Sequence, residues 1–317
     1  MAILRKALTG FLACFTLVVG TASGSRGQEI VVVASDSLTY TTRTISGAKR
    51  AISRSNDDAT FHQFYLSQIS SETAKQADSI RALSPTIILT VGSAATRFAQ
   101  KNFTNTPIVF SAVMYPAISG FVESLAHPGR NITGASLDIP ADIQFKYFKK
   151  IIPELSKIGV LYTANTASLI PSSMVVAENL GMQLVPIKID DVKELPQALD
   201  SLGKTVQGIW SVADPNLFSP QSTKFILLNC LRKGIPFMGF SRYVVESGAL
   251  FALDFDYKAI GRQAGVIANK IMEGHEPGGI SVTNPDIIWF HYNEKTAEHL
   301  NLILPDELVA VAKEVYR

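Results

Sequence analysis

Short apolar runs alternate with polar turns and amphipathic stretches along most of the chain. From Glu29 onward the order repeats: a β-branched run, a polar turn, then apolar residues at helical spacing. Residues 30–34 (IVVVA) predict a first strand, and the Ser35-Asp36-Ser37 turn leads into a helix over about 43–54. A second strand is expected near 60–65, then a helix from Ser71 to about Leu83, stopped by Pro85. Residues 87–91 (IILTV) predict a third strand, and Gly92-Ser93-Ala94-Ala95 turns into a helix near 96–101. Residues 108–110 make a fourth strand. After it come a small polar loop at 111–116, a short amphipathic helix, a Pro128-Gly129 turn and a strand near Ile132.

The same grammar restarts at 157–162 (KIGVLY). Strands are expected at 182–187, 208–212 and 236–239, interleaved with helices near 172–180, 192–202 and 221–233. A strand at 249–253, a long helix at 257–272, a short strand at 287–290 and a terminal helix from Pro305 follow. Alternating β and α elements imply parallel sheets covered by helices on both faces. Two such sets predict an α/β fold of two Rossmann-like, doubly wound lobes. The late elements are too few for a third domain and complete the first two. The expected division is 28–137 plus about 255–289 for one lobe, and 138–254 plus about 290–317 for the other. The joins fall at 136–141, 254–256 and 290–293, which makes a three-crossing hinge beside a cleft.

The N-terminus breaks this pattern. Arg5 and Lys6 precede an uncharged apolar run over 7–19 and a small, turn-prone stretch at 20–24. These are the parts of a secretory signal, expected to span 1–27 with cleavage within 22–28. The run is shorter than the roughly 20 residues that cross a bilayer. Losing Arg5, Lys6 and Arg26 would take the formal charge from +2 to −1. An exported, periplasmic protein is expected. Cys14 falls in the signal and leaves Cys230 alone, so no internal disulfide is expected and a core must hold the fold. At 317 residues the chain is long enough for about two domains. Lysines and arginines are scattered singly among acids, which gives no case for nucleic acid.

Catalytic and cofactor motifs are missing. The chain has no GxSxG elbow, no HExxH, no paired cysteines and no GxxxxGK[ST] loop. No GxGxxG follows the first strand, and histidines 62, 127, 275, 291 and 299 stand at no ligand spacing. No metal, no cofactor and no enzymatic activity are expected. What remains is a set of small polar turns at strand ends, where open α/β sheets bind ligands. In the first set these are Ser35-Asp36-Ser37, Gly92-Ser93-Ala94 and the loop from Ser111 through Ala112 to Tyr115. In the second they are Thr163-Ala164-Asn165, Ala213-Asp214-Pro215-Asn216 and Gly239-Phe240-Ser241. The turn at 92–95 is the best carboxylate seat, because a helix N-terminus carries partial positive charge. Tyr40, Tyr115, Tyr162, Phe218 and Phe240 could stack a flat ligand or fill the core. Asp214 could hold a cationic group or form an Asx turn before Pro215.

Several longer segments resemble a known family. They are PIVFSAV and SLAHPGRNITGAS, then KYFKKIIPELSKIGVLY, SGALFALDFDYKAIGRQAG and the tail NEKTAEHLNLILPDELV. In this order they resemble the ABC-transporter substrate-binding protein family that includes tryptophan- and tyrosine-type binding proteins. The resemblance implies a type I periplasmic-binding-protein fold that closes on a small solute and delivers it to ABC permease subunits in the inner membrane. Ser93, Ala94, Asp214 and Asp256-Tyr257 correspond best to the family's ligand positions. The family's fourth-strand loop commonly reads Ser/Thr-Asp-Pro, whereas this chain has Met114-Tyr115-Pro116. A phenol in place of a carboxylate favours a flat or partly apolar solute, amino-acid-like or a derivative, with a smaller cationic demand. The expected ligand set is Ser35, Asp36, Ser93, Ala94, Ala112, Tyr115, Tyr162, Asn165, Asp214, Ser241 and Asp256. A monomer is expected. The competing readings are a ligand-sensing partner of a membrane kinase or chemoreceptor, and an enzyme on the same scaffold.

Overall fold

The computed structural model describes residues 27–67 and 69–317. The expected signal, apart from Gly27, and Cys14 lie outside the described residues. The first half runs β1 (Glu29–Ala34), α1 (Thr39–Ser53), β2 (Thr60–Tyr65), α2 (Ser70–Ala82), β3 (Ile87–Val91), α3 (Ser93–Asn102), β4 (Ile108–Val113) and β5 (Ile132–Ser136). The second half opens with α4 (Ala141–Ile151), β6 (Lys157–Tyr162), α5 (Ile170–Asn179), β7 (Gln183–Lys188), α6 (Leu195–Leu202), β8 (Gly208–Ser211) and α7 (Pro220–Arg232). It continues through β9 (Phe237–Gly239), α8 (Arg242–Glu246), β10 (Phe251–Phe255), α9 (Tyr257–Met272), β11 (Ile288–Asn293), α10 (Glu294–His299), α11 (Asp306–Ala310) and β12 (Ala312–Tyr316).

The strands form two sheets. The first is all parallel, in the order β2-β1-β3-β4-β5. The second is ordered β12-β11-β10-β9-β8-β6-β7, with β10 and β11 antiparallel. A parallel strand covered on both faces needs apolar residues at every position. In β1, Ile30 and Val32 pack toward Ile45 and Ile260, while Val31 and Val33 pack toward Phe98 and Phe110. The second sheet is sandwiched likewise. Phe145, Phe148 and Trp210 lie in one core, and Leu199, Ile209 and Ile226 in the other.

Helix α9 follows β10 of the second sheet, yet packs on the first lobe against α1. Gly47 and Gly261 allow the approach: a Cβ on Gly261 would come within 1.9 Å of the Thr44 carbonyl oxygen, and one on Gly47 within 2.1 Å of that of Lys258. Asp256 caps α9 by accepting the Lys258 N–H at 2.8 Å. The chain therefore passes between lobes three times. Residues 137–140 join β5 to α4, Asp256 joins β10 to α9, and 284–287 lead to β11. The third passage differs from the expected 290–293, which belong to β11, where 290–292 pair with β10 and Asn293 pairs with Tyr316 of β12. Before this passage, Thr283 bridges to Ala135 at the edge of the first sheet.

Other differences are local. The amphipathic helix expected after Pro116 is a run of turns, held where the Phe121 N–H donates to the Pro116 carbonyl and Gly120 adopts φ +72°. The terminal helix is a single short piece, and the chain finishes as strand β12 beside β11. Helix α8 was not expected; Ser241 stands at its N-cap position.

Candidate ligand-binding cleft

A cavity of about 270 Å³ is lined from both lobes and from the hinge. Its wall begins where strands end. Met114 and Tyr115 follow β4, Val212 and Ala213 follow β8, and Phe240 follows β9. These positions lie past the carboxyl ends of parallel strands, where backbone groups are free of the ladder. Residues 137–140 of the first passage, with Leu253 and Phe255 of β10, add to the lining. Gln144 of α4 and Ser173 of α5 belong to it as well. The volume is near the lower end for small-molecule sites.

The aromatic part of this wall is fixed by hydrogen bonds. The Trp210 indole N–H donates to Gln144 Oε1 at 2.7 Å, and Gln144 Nε2 donates to the Ile139 carbonyl at 2.7 Å. Phe145 meets the Trp210 ring edge-on, with centroids 5.0 Å apart. Such a pair adds to burial, because ring edges are positive and ring faces negative.

Tyr115 ties three segments together. Its N–H donates to Asp138 Oδ1 at 2.8 Å, and its phenol oxygen accepts the Ala213 N–H at 3.2 Å. The first bond reaches the hinge and the second reaches the opposite lobe. Its backbone is in the left-handed region at φ +50°, and Ala112 stands at φ +53°. A bulky side chain seldom adopts that conformation, and the surrounding bonds must hold it there. The ladder between β4 and β5 shifts register at this kink, between Ser111 and Val113. Burial, with a contribution from the nearby Asp138 charge, raises the phenol pKa above its ordinary value.

Asp138 is a carboxylate of the hinge that borders the cavity. Burial pushes its pKa up to about 6, and the hydrogen bonds of the Tyr115 N–H and the Ser136 hydroxyl pull it part of the way back. Among the described residues, the cavity lining contains no lysine, arginine or histidine. Sequence reasoning placed a join at this segment and missed its acid. The signal was there: one charged residue between Leu137 and Ile139, at the end of a predicted strand.

Of the expected ligand residues, Tyr115 lines the cavity and the others stand elsewhere. Ser35 accepts the Ala95 N–H at 3.0 Å, so one donor of the proposed carboxylate seat is already used. Ser93 and Ala94 are exposed on the first turn of α3. Asp36 accepts from Leu38 N–H, the Tyr40 phenol and the Thr41 hydroxyl. Burial would raise its pKa, but these bonds outweigh it and leave the pKa lowered. Tyr40 in turn lies 5.2 Å from the Tyr257 ring, and Asp256 sits 3.6 Å from Arg43. Tyr162 packs at the edge of the second-lobe core, and Asn165 is exposed. Asp214 is 1% exposed and fully engaged: Thr163 and Thr166 hydroxyls donate to Oδ2 at 2.7 and 2.8 Å, and Asn216 N–H to Oδ1 at 3.0 Å. The Asx-turn alternative describes its backbone contact. Of the expected aromatics, Phe240 borders the cavity, whereas Phe218 packs 5.0 Å from it at the edge of the core.

Cys230 is buried, and burial pushes its thiol up to about 12. Among the described residues there is no group of three metal-ligating side chains, and no helix is long and apolar enough to cross a membrane.

Comparison with known proteins places this geometry. The chain is 28% identical over 219 residues to a tyrosine-binding protein of Clostridioides difficile, a match covering 68% of this chain. It spans 63% of that relative's own length. A ligand-free, open substrate-binding protein with adhesive properties from Clostridium difficile superposes with a TM-score of 0.75 at 20% identity, over 91% of this chain and 99% of the other. A Streptococcus pneumonia ABC domain in complex with L-Trp superposes with a TM-score of 0.64 at 19% identity, over 92% of this chain and all of the other. These two likenesses establish the two-lobed fold of type I periplasmic binding proteins. Residues 29–316 match the sequence pattern of ABC transporter substrate-binding proteins, a family that captures solutes and does not catalyse, and the chain belongs to that family.

Proposed function

We propose that this protein is the extracytoplasmic receptor of an ABC importer, closing its two lobes on a small, flat or partly apolar organic solute. The observation that carries this reading is the cavity itself, lined from both lobes with Trp210-supported, mostly apolar walls. Three passages of the chain between the lobes allow a hinge motion about the cavity. Tyrosine and tryptophan are the solutes named for two similar proteins, and an amino-acid-like compound or a derivative fits the aromatic lining. In this reading the mature protein is a periplasmic monomer that hands its solute to permease subunits of the inner membrane.

The test is mass spectrometry of the small molecules that co-purify with gently prepared protein, followed by small-angle scattering with and without the compound found. A stoichiometric aromatic or partly apolar solute that shrinks the radius of gyration supports the reading. A polar sugar or inorganic ion in the same place, or turnover of the bound compound, overturns it.

A further inference from the structure

Asp138 is a partly buried carboxylate with no basic side chain beside it in the cavity lining. Charges removed from water are ordinarily paired, or they give up the charge. Here the Tyr115 N–H donates to it, the nearby Ser136 hydroxyl accepts the Asp138 backbone N–H, and among the described residues no lysine, arginine or histidine lines the cavity beside it. The side chains that line the cavity with it are uncharged: Gln144 of α4, Ser173 of α5, Trp210 of β8, Phe240 after β9 and Phe255 of β10. From the β4 loop it meets the Tyr115 N–H, while the Tyr115 phenol, which burial keeps neutral, accepts from Ala213. Asp142, on the first turn of α4, is paired with Lys146 at 2.8 Å and is not part of the lining. Asp214 is enclosed by its own three hydrogen bonds.

We propose that the Asp138 carboxylate is the seat for a protonated amine on the captured solute, so that the site takes a flat apolar body ending in an ammonium group. The inference rests on the receptor reading and narrows its ligand class. It also revises the expectation of a smaller cationic demand. Tyr115 replaced a loop acid with a phenol, but its backbone N–H holds a different carboxylate, from the hinge, against the same cavity. The apolar wall receives the body of the solute, and its ammonium supplies the counter-charge that no described lining residue provides. Because the carboxylate belongs to a hinge passage, binding there would couple directly to lobe closure.

Isothermal calorimetry with tyramine, tryptamine and the uncharged 4-ethylphenol tests this, on the full mature chain and on Asp138→Asn. Asparagine keeps the shape and can still accept the Tyr115 N–H. The expected result is that the amines bind wild type and lose about tenfold or more in Asp138→Asn, while 4-ethylphenol is weak and equal in both. In wild type alone, amine binding should weaken about tenfold between pH 7.5 and pH 5, because the carboxylate takes up a proton while the ammonium stays charged. A melting curve without ligand checks that the variant is folded, and the wild-type pH pair does not depend on it. Equal binding of tyramine and 4-ethylphenol, or amine binding unchanged by both the substitution and pH, overturns the amine seat and leaves the flat-solute reading standing. Failure of all three compounds, with a polar sugar or inorganic ion found in the purified protein instead, overturns the flat-solute reading and the amine seat together.

Discussion

Two aspartates stand near Tyr115, one in the turn after β8 and one in the hinge after β5, and the protein treats them differently. Asp214 is enclosed and accepts three hydrogen bonds from its own turn and the one after β6. Asp138 borders the cavity, accepts the Tyr115 N–H, and is pushed up to about 6 by burial. The sequence offers Asp214 as a strand-end acid suited to a cation and gives no such prominence to Asp138. The contrast teaches that a carboxylate whose lone pairs are filled by the fold is a structural part. One left short of partners on a cavity wall is held for something that arrives. Keeping such a group costs stability in the empty state, a familiar compromise at binding sites.

The comparison breaks first at Asp214. Replacing it with alanine leaves the Thr163 and Thr166 hydroxyls buried without their acceptor. The expected loss is about 3 kcal/mol in urea unfolding, since enclosed hydroxyls left without their acceptor keep the full cost of desolvation. A loss below about 1 kcal/mol would mean that this acid is not structural.

Asp138→Asn should act in the opposite direction. In the empty protein at pH 7.5 it removes an unpaired charge and should raise stability by about 2 kcal/mol. The direction follows from the raised pKa. Such a group contributes stability fully below the unfolded value near 4, and that contribution is lost as pH rises through about 6. The gap between variant and wild type should therefore be widest above pH 6 and close by about pH 4. A gap that stays constant over this range would show that Asp138 does not titrate there.

Tyr115→Phe sharpens the comparison with the smallest effect. It deletes only the phenol that accepts the Ala213 N–H across the lobes, and leaves the backbone bond to Asp138 in place. About 1 kcal/mol of stability should be lost, with the pH dependence assigned to Asp138 unchanged. A larger loss that removes that pH dependence would mean the phenol, and not the backbone N–H, positions the carboxylate.

The lobes were legible in the sequence because buried parallel strands write themselves as unbroken apolar runs, such as IVVVA in β1 and IILTV in β3. The last strand was not, since β12 (AKEVY) is an edge strand with an exposed lysine and no such run. The stretch after Pro116 has helical spacing of apolar residues, yet Gly120 and the anchored Phe121 turn it into loops. Strand-end logic singled out Tyr115, Phe240 and the Ala213 turn, and these line the cavity because topology alone puts such positions past the strand ends. Trp210 and Asp138 escaped it. Trp210 looks like one more core residue inside a strand, and Asp138 sits in a crossing whose path depends on how the lobes pack. Short-range pattern carries no information about which hinge residue faces a cavity.

The most direct test of the central claim is a carbon-13 NMR titration of the Asp138 carboxyl group, in the empty protein and with tyramine bound. The account predicts a midpoint near 6 when empty, falling below about 5 once an ammonium is seated beside it. A midpoint that the amine leaves unchanged, with binding verified in the same sample, would contradict it.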